Sequence, residues 1–228
     1  MKAVPRDRQK PLVIAAGYGD PGFVPPLLSA RMRQVTSGSQ PIIPVSFFFK
    51  FTFADCRDYI VKAVERVAPN DDPEWTTEVD VIGFSMGGLV ARYAALPRED
   101  GGKRLRIARL FTISSPNRGA SLASLPALDS RVRDMRQGSE FIRRLSENTA
   151  IEAGEIRCYS RLGDVIVGAG NMGIGEEPAW WVSTPPFQLP HHSAWHDPRI
   201  LVDIARCLRG ENPFATHPAA PLPKKNDK

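Results

Sequence analysis

The chain has 228 residues, of which 42% are hydrophobic and 24% charged, the length and balance of one soluble globular domain with a real core. The formal charge is +5, but acids are interspersed with the basic residues and no nucleic-acid-binding motif is present, so nucleic acid is excluded as an expected partner. No segment is long enough to span a bilayer, so stable membrane insertion is not expected. Residues 1–10 form a charged leader segment without the apolar core of a signal peptide, which points to the cytoplasm. Cys56, Cys158 and Cys207 are far apart and lack metal-ligand spacing. They read as buried free thiols of a reducing compartment, with no metal and no cofactor expected.

In chain order, Pro11 to Ala16 is a continuous apolar run stopped by Gly17-Tyr18-Gly19-Asp20-Pro21-Gly22, the pattern of a buried parallel strand ending in a glycine-rich loop. Phe23 to Val35 predicts a helix and Pro41 to Phe49 a second strand. Core packing accounts for most of Phe47, Phe48, Phe49 and Phe51. Ala54 to Val67 has apolar residues at helical spacing, with Asp55 as a cap. After a loop from Asn70 to Thr77 comes the strand Val79 to Phe84, then Ser85 and an apolar-periodic helix. Arg106 to Ser114 predicts another strand. Ser121 to Asn148 reads as helical, broken near Gly138. Glu155 to Ser160 is a strand leading to Leu162-Gly163-Asp164, and a glycine-rich loop runs to Ala179-Trp180-Trp181-Val182. The last helix, from Asp197 to Leu208, opens with an Asp-Pro cap. Strand and helix alternate throughout, which predicts an α/β fold with a doubly wound, mostly parallel sheet. Residues 11–210 form a single domain with 121–150 as a candidate short lid, and 211–228 read as a disordered tail.

Gly83-Phe84-Ser85-Met86-Gly87 carries the chemistry. A strand that turns sharply into a helix projects a serine hydroxyl away from the backbone, but it strains that serine and brings strand and helix too close for side chains. Gly83 and Gly87 meet that demand, and Gly88 gives the helix room to pack. The serine needs a base, and the base needs a carboxylate to orient it. All four histidines follow Ser85. His217 lies in the tail, so the base comes from His191, His192 or His196. His191, just ahead of the final helix, is the first choice and His192 the second. Asp164, at a strand end, is the acid, with Asp129 and Asp134 weaker candidates. The oxyanion donors are the amides of Met86, at a helix start, and Tyr18, in the loop after the first strand. Phe23, Leu122, Trp181 and Phe187 are candidate walls of an apolar substrate pocket.

Together these segments resemble the α/β-hydrolase superfamily and, within it, bacterial lipase-like serine esterases, over nearly the whole chain from about Pro11 to Leu208. The resemblance rests on Ala16-Gly17-Tyr18-Gly19, on Gly83 to Arg92, on Ile113-Ser114-Ser115-Pro116-Asn117-Arg118-Gly119-Ala120, and on the Asp164 and His191 segments. It departs where lipases usually place histidine: Ala16 before Gly17, Phe84 before Ser85, and Asn117 after Pro116. It implies a reduced sheet of about six strands and cleavage of a small-molecule or lipid ester through an acyl-enzyme. A thioesterase, amidase or acyltransferase would use the same residues, and a non-catalytic binding domain is the reading from another class.

Overall fold

The apolar runs become strands, most of them followed by a helix. The structure, a computed structural model, describes residues 8–121, 129–148, 155–215 and 219–224. Strand β1 (Leu12–Ala15) leads to α1 (Val24–Val35), β2 (Ile42–Val45) to α2 (Phe53–Val67), and β3 (Val79–Phe84) to α3 (Met86–Ala95). β4 (Ile107–Ile113) precedes α4 (Ser130–Asp134) and α5 (Glu140–Glu147), and β5 (Glu155–Arg161) precedes β6 (Trp180–Val182). The short α6 (Pro190–Ser193) and then α7 (Pro198–Leu208) follow. The six strands form one sheet in the order β2-β1-β3-β4-β5-β6, and every pair in it is parallel. This is the reduced α/β sheet expected from the sequence.

Side chains alternate across the strands and bury both faces. Val13, Ala15 and Val81 pack with Cys56, Ile60, Leu89, Val90, Ile142 and Leu145, under α2, α3 and α5. Leu12, Ile14, Ile82 and Phe84 pack with Leu28, Met32, Ile200 and Ile204, under α1 and α7. A strand covered on both faces reads as an unbroken apolar run, which is why β1 and β3 stood out. The exception, Asp80 in β3, is fully buried and held by the Arg109 fork of β4 at 2.8 and 2.6 Å. Arg109 also donates to the Cys207 carbonyl, tying the sheet to the end of α7.

Some boundaries differ from expectation. The cap of α2 is Thr52, with Asp55 three residues on completing a reciprocal capping box through two 3.0 Å bonds. β2 stops at Val45, and the chain then turns, with the Lys50 amide donating to the Phe47 carbonyl at 3.0 Å. Only Phe47 is buried there; Phe48, Phe49 and Phe51 are exposed, because the turn carries them off the sheet. The break near Gly138 separates α4 from α5, and Gly138 has φ +72°. Residues 122–128 lie outside the described residues, so the candidate lid is described only in part.

At the ends, Arg8 is buried and donates to Thr36 Oγ1 and the Gln40 carbonyl, each at 2.7 Å. Within 211–228, the Ala215 amide donates to Asp203 at 3.1 Å, and the Ala220 carbonyl accepts from Trp181 Nε1 at 3.1 Å. The three cysteines are free and buried, and burial pushes the Cys56 thiol up to about 12 and that of Cys207 to about 11. No helix among the described residues is long and apolar enough to cross a membrane.

Candidate active site

In an all-parallel sheet the loops after each strand gather at one edge, so residues far apart in sequence meet there. Ser85 follows β3 at that edge, with φ 52° and ψ −124°, a conformation that strains any residue with a side chain. Two close approaches make the turn possible. A Cβ on Gly83 would lie 2.5 Å from Gly88 Cα, and one on Gly87 would lie 2.4 Å from the Ala15 carbonyl oxygen. Gly17 is constrained as well, since a Cβ there would come within 3.1 Å of Ser85 Cβ and the Phe84 ring. The loop after β1 is thereby brought against the serine.

His191 lies in α6 and Asp164 in the loop after β5. The Ser85 hydroxyl is 3.0 Å from His191 Nε2, and His191 Nδ1 is 2.8 Å from Asp164 Oδ2. The other carboxylate oxygen of Asp164 accepts the amides of Ile166 and Val167, both at 3.1 Å, which fixes the group in a turn of its own. Asp164 and His191 are both buried. The Phe84 ring lies 5.4 Å from the His191 ring, tilted by 38°, and backs the imidazole. This chain can relay a proton from the serine hydroxyl to the imidazole while the carboxylate holds the ring's tautomer.

The other candidate residues fall as follows. His192 is exposed, its ring centroid 5.7 Å from that of His191. His196 borders α7, and burial, with the nearby Arg31 charge, pushes its imidazole pKa down. Met86 is the first residue of α3, and the amides of a helix's first turn have no partner within the helix. Tyr18 sits in the turn after β1, its hydroxyl donating to Asp129 at 3.0 Å. Asp129 itself caps α4 rather than meeting a histidine. Phe23 and Phe187 are exposed at the loop edge, Phe187 with φ 63°, and Leu122 lies outside the described residues.

Trp181 is placed elsewhere. It stands on edge strand β6, three strands from β3 in the sheet order, or about 14 Å at the usual interstrand spacing. There it lines a trough of about 610 Å³ with Tyr159, Val182, Ile200, Val202 and Phe214. The sequence reading missed Phe84 as a support for the imidazole and Arg161 as a neighbour of its turn. Phe84 could have been suspected from its place before the serine; Arg161 has no sequence signal at all. No group of three or more His, Cys, Asp or Glu suited to a metal ion occurs among the described residues.

Six parallel strands in this order, with helices on both faces and a serine in the sharp turn after β3, define the α/β-hydrolase fold, of the kind found in lipases and esterases. Residues 45–144 match the family model of the PGAP1-like alpha/beta domain. No curated protein matches the chain by sequence. Among solved structures, Aspergillus fumigatus lipase B superposes with a TM-score of 0.63 at 16% identity, over 90% of this chain and 53% of that one. The lin2722 product from Listeria innocua gives 0.59 at 14% identity, over 87% and 93%. Phospholipase PlaB from Legionella pneumophila gives 0.57 at 14% identity, over 89% and 60%. The matched region thus spans only 60% of the phospholipase and 53% of the fungal lipase.

Proposed function

We propose that the protein is a serine hydrolase that cleaves carboxylic esters through an acyl-enzyme intermediate. The observation that carries this reading is the hydrogen-bonded series Ser85–His191–Asp164, at 3.0 and 2.8 Å, on the loop edge of the sheet. His191 Nε2 takes the hydroxyl proton as Ser85 Oγ attacks the ester carbonyl. Asp164 holds Nδ1 protonated and stabilises the imidazolium without accepting the proton itself. The amides of Met86 and Tyr18 face the oxygen on which negative charge develops. The imidazolium then protonates the departing alcohol, and water, deprotonated by His191, releases the acid and restores Ser85.

An apolar ester is favoured by the rim of this edge. Phe23, Phe49, Phe51, Val165, Phe187 and Leu189, from the loops after β1, β2, β5 and β6, are all exposed there. The fold relatives named lipase and phospholipase agree with a lipid-like ester.

The test is labelling by a fluorophosphonate probe of wild type and Ser85→Ala, with p-nitrophenyl esters of rising chain length on the same samples. Labelling and turnover that require Ser85, rising with chain length, are expected. Folded wild type that takes no label would overturn the hydrolase reading and favour a binding domain. A thioester and an anilide of the same acyl group, run alongside, separate esterase from thioesterase or amidase.

A further inference from the structure

Helix α6, which carries His191, is four residues long, and its first residue Pro190 is preceded by Leu189 with no side-chain cap. A turn of that length has no stability of its own. The imidazole must nevertheless hold a bond to Ser85 on one side and to Asp164 on the other, so its backbone has to be fixed from outside.

Arg161 is placed to do that. It ends β5, three residues before Asp164, and is buried to within 2% of its surface. Its Nη1 donates to Gln188 Oε1 at 2.6 Å and to Ser193 Oγ at 2.5 Å, residues on either side of His191. Nε and Nη2 both donate to Asp197 Oδ2, at 2.8 and 2.6 Å. Asp197 is fully buried, caps α7, and also accepts from Arg199. Ser193 closes the turn by donating from Oγ to the Leu189 carbonyl at 2.6 Å. One guanidinium therefore joins the strand that delivers the acid, the turn that delivers the base, and the cap of the last helix.

We infer that Arg161 is a positioning residue for the base: by holding Gln188 and Ser193 it clamps the His191 turn to the end of β5, from which Asp164 hangs. The inference rests on the roles proposed above for Ser85, His191 and Asp164. A planar fork reaches three separate acceptors at once, which the single ammonium of lysine does not. Charge alone is not the requirement, since Arg199 also pairs with Asp197. Displacing a reacting group by about 1 Å costs on the order of 100-fold in rate.

The full chain is compared as wild type, Arg161→Lys, and a Gln188→Ala/Ser193→Ala double variant that leaves the Arg161–Asp197 pair in place. The readouts are kcat and KM on a short p-nitrophenyl ester, the phosphonate labelling rate, the thermal midpoint, and the low-field proton resonance of His191 Nδ1–H. Both variants are expected to lose about 10- to 100-fold in kcat and labelling rate, with KM within about twofold and the low-field proton broadened or lost. A folded double variant with wild-type kcat and an intact low-field proton would overturn the inference. So would a fall in kcat that only tracks the loss of folded protein. The resonance needs no turnover, so the clamp remains testable if wild type takes no label and the hydrolase reading fails. Wild type that labels at Ser85 beside unaffected variants sinks the clamp alone.

Discussion

Ser85 is held at φ 52° by what surrounds it rather than by preference. Gly87 backs directly onto the carbonyl of Ala15 in β1, a neighbour that cannot move without breaking the sheet. Gly87→Ala is therefore expected to lower stability by about 2–3 kcal/mol through overpacking, seen as a lower urea midpoint, and to reduce activity as the turn is forced open. Asp164→Asn makes a sharper test of the proposed mechanism. The amide oxygen can go on accepting from Ile166 and Val167. Its NH₂ would then face His191 Nδ1 and select the wrong tautomer. The expected outcome is a loss in kcat of about 10⁴ with a thermal midpoint close to wild type; a loss under tenfold would argue against the orienting role.

Strands β3 and β4 meet through a charge pair that no sequence pattern announced. Asp80 interrupts an otherwise apolar strand, and its partner Arg109 lies 29 residues on, in the next strand of the sheet. Arg109→Ala would leave a fully buried carboxylate without its cation, at a cost of about 3–5 kcal/mol. Replacing both, as Asp80→Leu with Arg109→Met, should recover much of that loss, because the desolvation of two charges disappears together with their attraction. Urea unfolding of the single and double variants gives the coupling directly. The cap at Asp197, by contrast, is a local device that the sequence announces through residue type and spacing, whereas at α2 the expected cap, Asp55, is the third helical residue, in a capping box opened by Thr52.

At the scale of the whole molecule, Asp197 links activity-edge geometry to acid stability. Burial works against its charge, but hydrogen bonds from Arg199 and Arg161 outweigh that and hold its pKa down at about 2, below the ordinary 3.8. A carboxyl lowered on folding stabilises the native state fully above about pH 4, and that contribution is lost as the pH falls through about 2. The shift corresponds to about 2 kcal/mol. Wild type should lose about that much more stability than Asp197→Asn between pH 5 and pH 2, measured by urea midpoints. Equal pH dependence in the two proteins would show that the pair with Arg161 and Arg199 does not stabilise the fold.

What the sequence determined by itself is local: apolar runs that become doubly buried strands, glycines where β3 and α3 approach too closely for a Cβ, and Asp197-Pro198 opening α7. Ser85, Asp164 and His191 were legible as candidates for the same reason, since each stands where a strand end or loop has a recognisable signature. The aromatic run after β2 was not legible. Its position relative to Val45, where pairing stops, decides which rings are covered, and pairing is a property of the sheet. Nor was the placement of Trp181, which depends on β6 being the edge strand, or the partnership of Arg161 with Gln188, Ser193 and Asp197. Those contacts join residues 27 to 36 positions apart, and they exist only because parallel strands deliver their loops to one edge. Hydrogen bonds between side chains brought together in that way leave no periodicity in the chain, so only the tertiary structure could decide them.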